Sequence, residues 1–182
     1  MRHECEKLAR SLGWWVAQSP EAEQLYFEQV PSQYQHQQAH YRVAAYPGVH
    51  CFVSQLFGDP ILPSRIVVHD LICPYAPETL AETIRPGVSI NRARQTAEDQ
   101  KLFFLETSPA HVQLPLIGEL HLLKGCPIYA LVLLQAAFAH IPALGGSKSA
   151  GLGWLTWTQL PSVPADFDWT GLRAPQPPNA PS

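Results

Sequence analysis

A glycine-rich segment that follows an apolar, helix-forming run constrains this chain more than any other feature. Residues 144–153 read LGGSKSAGLG and include four glycines. Glycine adopts positive φ without strain and lets another molecule approach the backbone closely. The preceding run, 129–140, has no Gly or Pro and predicts a buried helix, and residues 154–158 have strand composition. The segment is therefore predicted to be a sharp turn between a buried helix and a strand.

The same segment suggests anion binding. Lys148 is the only charged residue between His140 and Asp166, and it is flanked by Ser147 and Ser149. Successive free backbone N–H groups can form an anion-binding concavity, to which a lysine adds a point charge. The order helix, loop, strand is the reverse of the order in common nucleotide-binding loops. A common nucleotide-binding loop is therefore not expected. On these residues alone, a helix cap followed by a tight turn into an edge strand is the more common origin of such a segment, and binding of a phosphate, such as that of an RNA backbone, is the alternative.

Composition limits the function classes. The chain has 182 residues, 46% of them hydrophobic, which is enough to bury one core. Its net charge of −3 excludes RNA binding by overall basicity. Any binding of RNA would therefore require local clusters of positive groups. No apolar run approaches the ~18 residues of a membrane span, so no membrane partner is expected.

Cysteine usage indicates a reducing compartment. The four cysteines have no CxxC spacing, and the charged N-terminal residues do not resemble a signal peptide. We therefore expect free thiols and a cytoplasmic location, with neither cofactor nor metal. A zinc site that joins Cys51 to His50 or His69 stays open, although no pair has recognised ligand spacing.

The periodicity of the chain predicts an α+β fold. Residues 1–17 have the apolar spacing of an amphipathic helix, and residues 18–48 are predicted to be a loop or insertion. Four segments have strand character: 66–69, 88–91, 102–106 and 112–122. Helices on one face of an antiparallel sheet fit this order.

The domain boundaries and the tryptophans follow from the same pattern. One domain is predicted over 1–160, followed by a proline-rich, disordered tail over 161–182. Trp14, Trp15, Trp154 and Trp157 have the spacing of core residues, with base stacking as the alternative.

Three segments resemble one known family. The first is HCFVSQLFG at 50–58, continued by Asp59 and by SRIVVHD at 64–70. The second is RPGVSINRARQTA at 85–97, which leads into LFFLE at 102–106, and the third is the glycine-rich segment. Their order and content resemble the RAMP superfamily, the RNA-binding subunits of CRISPR effector complexes, and within it the backbone subunits of type III systems.

The resemblance implies a ferredoxin-like fold similar to an RNA-recognition module. It implies guide RNA, target RNA and other effector subunits as partners, and a thumb-like hairpin over Arg92–Lys101 that wedges between guide and target bases. The residues assigned to RNA binding are glycine-loop residues and nearby arginines: Gly145, Gly146, Ser147, Lys148, Ser149, Gly151, Arg92, Arg94, Arg65 and Arg2.

The chain departs from the family pattern at its start. Met1 stands where the first family helix should begin, so the first strand and the loop that carries the target-cleaving aspartate are expected to be missing. The expected protein is an N-terminally truncated, noncatalytic RNA-binding subunit with no assigned catalytic residue. The alternatives are a CRISPR RNA-processing endoribonuclease that uses a histidine and a plain α+β interaction module.

Overall fold

The computed structural model describes residues 1–17, 30–80, 83–108 and 113–175. These residues form two compact units. Unit 1 consists of Met1–Val67 and His121–Ser182, and unit 2 consists of Val68–Leu120. The helices and strands of the described residues are α1 (Arg2–Ser11), α2 (Phe52–Phe57), β1 (Ile66–Val68), β2 (Thr83–Asn91), β3 (Thr96–Thr107), β4 (Leu120–Leu122) and α3 (Ala130–Ala139).

Helix α3 forms the centre of unit 1. The helix predicted over 129–140 is confirmed, and its buried side chains include Val132, Leu133, Leu134 and Ala137. Helix α1 packs against both α3 and α2 and contributes buried Cys5 and Ala9. Burial of a Leu or Val side chain contributes roughly 1.5–3 kcal/mol, so this apolar contact stabilises unit 1.

Helix α1 is shorter than the helix predicted over 1–17. Its last turn ends in a Schellman arrangement, in which Gly13 N donates to Arg10 O and Trp14 N to Ala9 O, each at 3.0 Å. Gly13 has φ of +86°, which stops the helix. Trp14 and Trp15 lie beyond the helix but remain buried, at 5% and 9% exposure.

An aromatic cluster joins these elements within unit 1. The Trp14 ring lies 4.0 Å from that of Phe52, which lies 4.4 Å from that of Tyr129. Tyr41, at the end of a 3-10 helix over Ser32–Tyr41, accepts a hydrogen bond from Trp15 N at 2.9 Å. Burial raises the pKa of both Tyr41 and Tyr129 above the usual tyrosine value. The segment predicted as a loop over 18–48 thus contributes a 3-10 helix to the core, while residues 18–29 lie outside the described residues.

A buried hydrogen-bonded pair, His50 and Asp59, fixes the segment around α2. His50 Nδ1 lies 2.6 Å from Asp59 Oδ2, and both side chains are almost fully buried. The other oxygen of Asp59 accepts hydrogen bonds from Ile61 N at 2.9 Å and Leu62 N at 2.7 Å. Helix α2 begins at the Cys51 cap, whose sulfur accepts from Ser54 N, and ends at Gly58. The first family-like segment therefore folds as a capped helix flanked by a His–Asp pair.

The described strands form two pairs. Strands β1 and β4 pair with each other, and an isolated antiparallel bridge joins Ile72 to Ile117. The strand predicted over 112–122 is thus realised only as β4 and this bridge among the described residues. In unit 2, β2 and β3 form the predicted antiparallel hairpin, with Thr83 opposite Thr107 and Val88 opposite Leu102. The α+β class is confirmed, and the ferredoxin-like arrangement stays a prediction.

The C-terminal region lacks the strand predicted over 154–158. One bridge, between Ala143 and Trp154, stands in its place. Farther along, the carbonyl of Leu172 accepts from Trp14 Nε1 at 2.6 Å, and Ala174 N donates to Leu12 O at 3.0 Å. Part of the segment predicted as a disordered tail is therefore hydrogen-bonded to the end of α1, and residues 176–182 lie outside the described residues. Among the described helices, none is both long enough and apolar enough to cross a membrane.

Removal of the Asp59 carboxylate is expected to destabilise unit 1. The variant Asp59→Ala leaves His50 buried without its partner and two N–H groups without an acceptor. A buried polar group left without its hydrogen-bond partner costs about 1–3 kcal/mol. Urea unfolding followed by circular dichroism measures the change, with the exposed Asp166→Ala as control. Equal free energies of unfolding for the two variants would contradict a stabilising role for the pair.

Candidate functional site

The glycine loop, residues 144–153, is held closed at its two ends. It begins shortly after α3, and the bridge between Ala143 and Trp154 joins its ends. Leu144 N donates to Gly153 O at 2.9 Å, and Leu155 N donates to Pro142 O at 2.9 Å. A Cβ at position 153 would lie 1.9 Å from the Leu144 carbonyl oxygen, and Gly153 has φ of +72°. Only glycine satisfies both conditions, so Gly153 is required for closure of the loop.

A short 3-10 turn over Lys148–Ala150 shapes the tip of the glycine loop. It is supported by hydrogen bonds from Ala150 N to Ser147 O at 2.9 Å and from Gly151 N to Lys148 O at 3.0 Å. Ser147 lies in the left-handed region at φ of +52°, a conformation that Gly145 and Gly151 adopt more easily. All residues of the tip are exposed to solvent.

Several N–H groups of the loop are free to bind a ligand. In the part of the chain that the structure describes, the N–H groups of Gly145, Gly146, Lys148 and Ser149 donate to no protein acceptor. Alternation of left-handed and right-handed residues directs successive N–H groups toward a common point, which is how anion-binding nests form. The loop therefore offers backbone donors beside the exposed ammonium group of Lys148.

Lys148 also lines a cleft of about 430 Å³ in unit 1, which we call the Lys148 cleft. Its walls come from the start of α1, the end of α3 and the two ends of the glycine loop. The lining residues are Met1, His3, Glu4, His140, Ile141, Pro142, Ala143, Leu144, Lys148 and Trp154. The structure thus brings an amine, two imidazoles and an indole around one concave surface.

One carboxylate, that of Glu4, also lines the cleft. Lys7 Nζ donates to Glu4 Oε1 at 2.9 Å, and this hydrogen bond holds the pKa of Glu4 below its usual value. Glu4 is therefore ionised at neutral pH, with its charge paired to Lys7. The pairing reduces the repulsion that a bound phosphate would meet from this wall.

Trp154 is exposed, so the prediction that it is a core residue is wrong. Its side chain is 71% exposed, whereas Trp14 and Trp15 are buried as predicted. Trp157 is half-buried, and its indole N–H donates to Ile141 O at 3.0 Å. Residues three apart in extended backbone point to opposite faces, so Trp154 and Trp157 could not both face one core. This alternation of side chains in the sequence could have indicated that one of the two tryptophans is exposed.

Two predicted arginines have local structural contacts in unit 1. Arg2 donates to Glu6 Oε1 at 3.3 Å and to Gly58 O at 3.1 Å, so it links α1 to the end of α2. Arg65 donates to Lys124 O at 3.1 Å. Neither arginine lines the Lys148 cleft, and an RNA-binding role for them stays a prediction.

The other two predicted arginines belong to unit 2. Arg92 and Arg94 lie in the turn between β2 and β3, and both are exposed. Asn91 Oδ1 accepts from Ala93 N at 3.0 Å and from Arg94 N at 3.1 Å, which holds the turn. The predicted polar hairpin tip is confirmed, and contact with RNA stays a prediction.

Cys5, Cys51 and His50 are buried, and the last two have structural contacts. His50 pairs with Asp59 and Cys51 caps α2, so neither side chain is arranged for a metal ion. Within the described residues, no three His, Cys, Asp or Glu side chains are grouped as a metal site. Burial raises the pKa of the Cys5 thiol to about 12, which leaves it protonated and unreactive.

Comparison with known protein families gives a match that covers the three family-like segments of the chain. A family model described as the RAMP superfamily matches residues 1–156, which include α1, α2, α3 and the whole glycine loop. No curated protein matches the chain.

The bridge at the base of the glycine loop gives a test of its own. Gly153→Ala introduces a clash with Leu144 O and strains φ, so we expect the free energy of unfolding to fall by more than ~1 kcal/mol. Gly146→Ala is the matched control, because a Cβ there meets nothing within 4 Å and the change should cost less than ~0.5 kcal/mol. Thermal unfolding measures both. Similar melting temperatures for the two variants would show that the loop is not closed in this way.

Proposed function

We propose that this chain, which belongs to the RAMP superfamily, binds the backbone of a guide RNA through its glycine loop as a subunit of a type III CRISPR effector complex. Members of the superfamily are CRISPR-associated RNA-binding proteins. The observation that carries the proposal is the exposed tip of the loop, where free backbone N–H groups lie beside Lys148.

The glycines of the tip support a close approach by a phosphate. Gly145 and Gly151 have positive φ, so their conformation alone accounts for glycine. Gly146 has no positive φ, and a Cβ there would meet nothing within 4 Å. Neither packing nor backbone strain therefore explains glycine at position 146. A ligand held against the backbone explains this glycine, because a side chain at position 146 would occupy the place of the ligand.

The charge of the chain fits a contact with the RNA backbone rather than with base edges. Hydrogen bonds from N–H groups and lysine to phosphate oxygens position RNA without reading its sequence. A subunit that holds guides of different sequence needs this kind of contact. With a net charge of −3, the chain offers the single cation Lys148 at the loop, and neighbouring subunits would supply further positive charge.

The hairpin of unit 2 supports contact with other partners. Exposed Arg92 and Arg94 at its tip suit the phosphates of a guide or target strand. One face of the hairpin also exposes large apolar side chains, among them Ile84, Ile90 and Phe104. Exposed apolar patches of this kind are typical of interaction surfaces, and we assign this face to another effector subunit.

The effect of removing the Lys148 charge tests the proposal. Lys148→Ala should weaken guide RNA binding by roughly tenfold at physiological salt and lower the salt dependence by about one ion, since one phosphate contact is lost. Gly146→Asp should weaken binding further, because it adds bulk and negative charge. Fluorescence anisotropy with labelled guide RNA measures the affinity, and circular dichroism checks folding.

Lys124→Ala is the matched control for Lys148→Ala. Lys124 is an exposed lysine of unit 1 that does not line the Lys148 cleft. We expect its loss to change the affinity by less than about twofold. Equal binding by all three variants and the unaltered protein would refute the assignment to the glycine loop.

One observation favours RNA cleavage as a second candidate function. His3 and His140 line the same cleft as Lys148. Two imidazoles can act as general base and general acid in metal-independent cleavage beside the 2′-hydroxyl of RNA, with an amine to stabilise the phosphorane charge.

Incubation with CRISPR repeat RNA in the presence of a chelator separates the two candidates. We expect binding without cleavage, because RNA holding is the primary proposal. Specific products that are lost in both His3→Ala and His140→Ala would replace that proposal with the endoribonuclease. The control Lys124→Ala should behave like the unaltered protein.

A further inference from the structure

We infer that Trp154 is a stacking platform for an unpaired nucleobase, so that the Lys148 cleft holds one nucleotide of single-stranded RNA. This inference rests on the proposed function, since it assigns the base that belongs to a phosphate bound at the glycine loop. It adds a base contact to a site that otherwise recognises only the backbone.

The exposure of Trp154 is the first argument. A tryptophan normally buries about 150–250 Å² of surface, yet 71% of Trp154 is exposed. Among the described residues, its indole N–H has no acceptor and its ring contacts no other aromatic ring. The control within the same chain is Trp157, whose N–H bonds to Ile141 O and whose ring lies 4.9 Å from that of Phe138.

The rigidity of the backbone at Trp154 is the second argument. Trp154 forms the bridge with Ala143, and hydrogen bonds at Gly153 O and Leu155 N flank it on both sides. The indole is therefore carried by a fixed segment at the mouth of the glycine loop. A stacking surface held in place costs little conformational entropy on binding.

Trp154 and Lys148 line the same cleft. Its volume of about 430 Å³ falls in the range of small-molecule sites, roughly 300–1,000 Å³. Ile141, Pro142 and Leu144 give it an apolar wall, and His3 and His140 add polar groups. A nucleotide matches this combination, because it joins an anionic phosphate to a flat, largely apolar ring.

The chemistry favours an unpaired base. Bases within a duplex already stack on their neighbours, and only an unstacked base presents a free face to an indole. Stacking on an aromatic side chain contributes about 1–3 kcal/mol per base and tolerates any sequence. The cleft should therefore prefer single-stranded over double-stranded RNA and show little preference among guide sequences.

The test compares two tryptophan variants with two RNA probes. The probes are a short single-stranded RNA and the same strand with abasic sites, which keeps the phosphates and removes the bases. Trp154→Ala should weaken binding of the intact RNA by roughly tenfold and leave binding of the abasic RNA unchanged. Trp154→Phe should retain most of the affinity. Trp169→Ala, which removes another exposed tryptophan outside the cleft, should have no effect on either probe.

The outcomes separate this inference from the proposed function. If the unaltered protein binds neither probe, the proposed function fails and the inference fails with it. If Lys148→Ala weakens binding of both probes but Trp154→Ala binds like Trp169→Ala, only the stacking inference is overturned.

Fluorescence supplies a second readout in case Trp154→Ala does not fold. Intact RNA should quench part of the tryptophan emission of the unaltered protein, and Trp154→Phe should lose that quenching. RNA binding with the same quenching in both proteins would overturn the inference.

Discussion

The antiparallel bridge between Ala143 and Trp154 is the interaction on which the candidate site depends. It closes the glycine loop directly after the buried helix α3, and it requires Gly153, because any Cβ there would overlap the Leu144 carbonyl oxygen. With the ends fixed, the tip residues present their N–H groups and Lys148 to solvent. The same bridge places the Trp154 indole at the edge of the Lys148 cleft. One backbone contact therefore positions both the phosphate donors and the proposed stacking surface.

The first of the three family-like segments acts chiefly through structure. The HCFVSQLFG segment contributes the His50–Asp59 pair and the capped helix α2, and Arg2 joins this helix to α1 through Gly58 O. These contacts hold the helices of unit 1 together. In the glycine loop, by contrast, Gly146 has no structural reason to be glycine. The proposed RNA contact at position 146 therefore lies where the requirements of folding are weak.

The sequence predicts those elements that are determined by neighbouring residues along the chain. Helix α3, the β2–β3 hairpin and the turn at the glycine segment follow from periodicity and from glycine placement, and all three are present. Helix α1 is shorter than its apolar spacing predicts, because the spacing continues past Gly13, whose positive φ ends the helix. The Lys148 cleft could not be predicted, since it joins the start of α1 to residues more than a hundred positions away. The exposure of Trp154 differs from the prediction, because the aromatic composition of residues 154–158 favours a core. In extended backbone, however, Trp154 and Trp157 would point to opposite faces.

The most direct measurement of the central claim is the response of individual backbone amides to RNA. In a nuclear magnetic resonance titration of the 20.2 kDa chain with guide RNA, the amide resonances of Gly145, Gly146, Lys148 and Ser149 should shift together and saturate at one concentration. The amide of Gly13, which already donates to Arg10 O, should stay in place. RNA binding that shifts other amides and leaves those four unmoved would contradict the account.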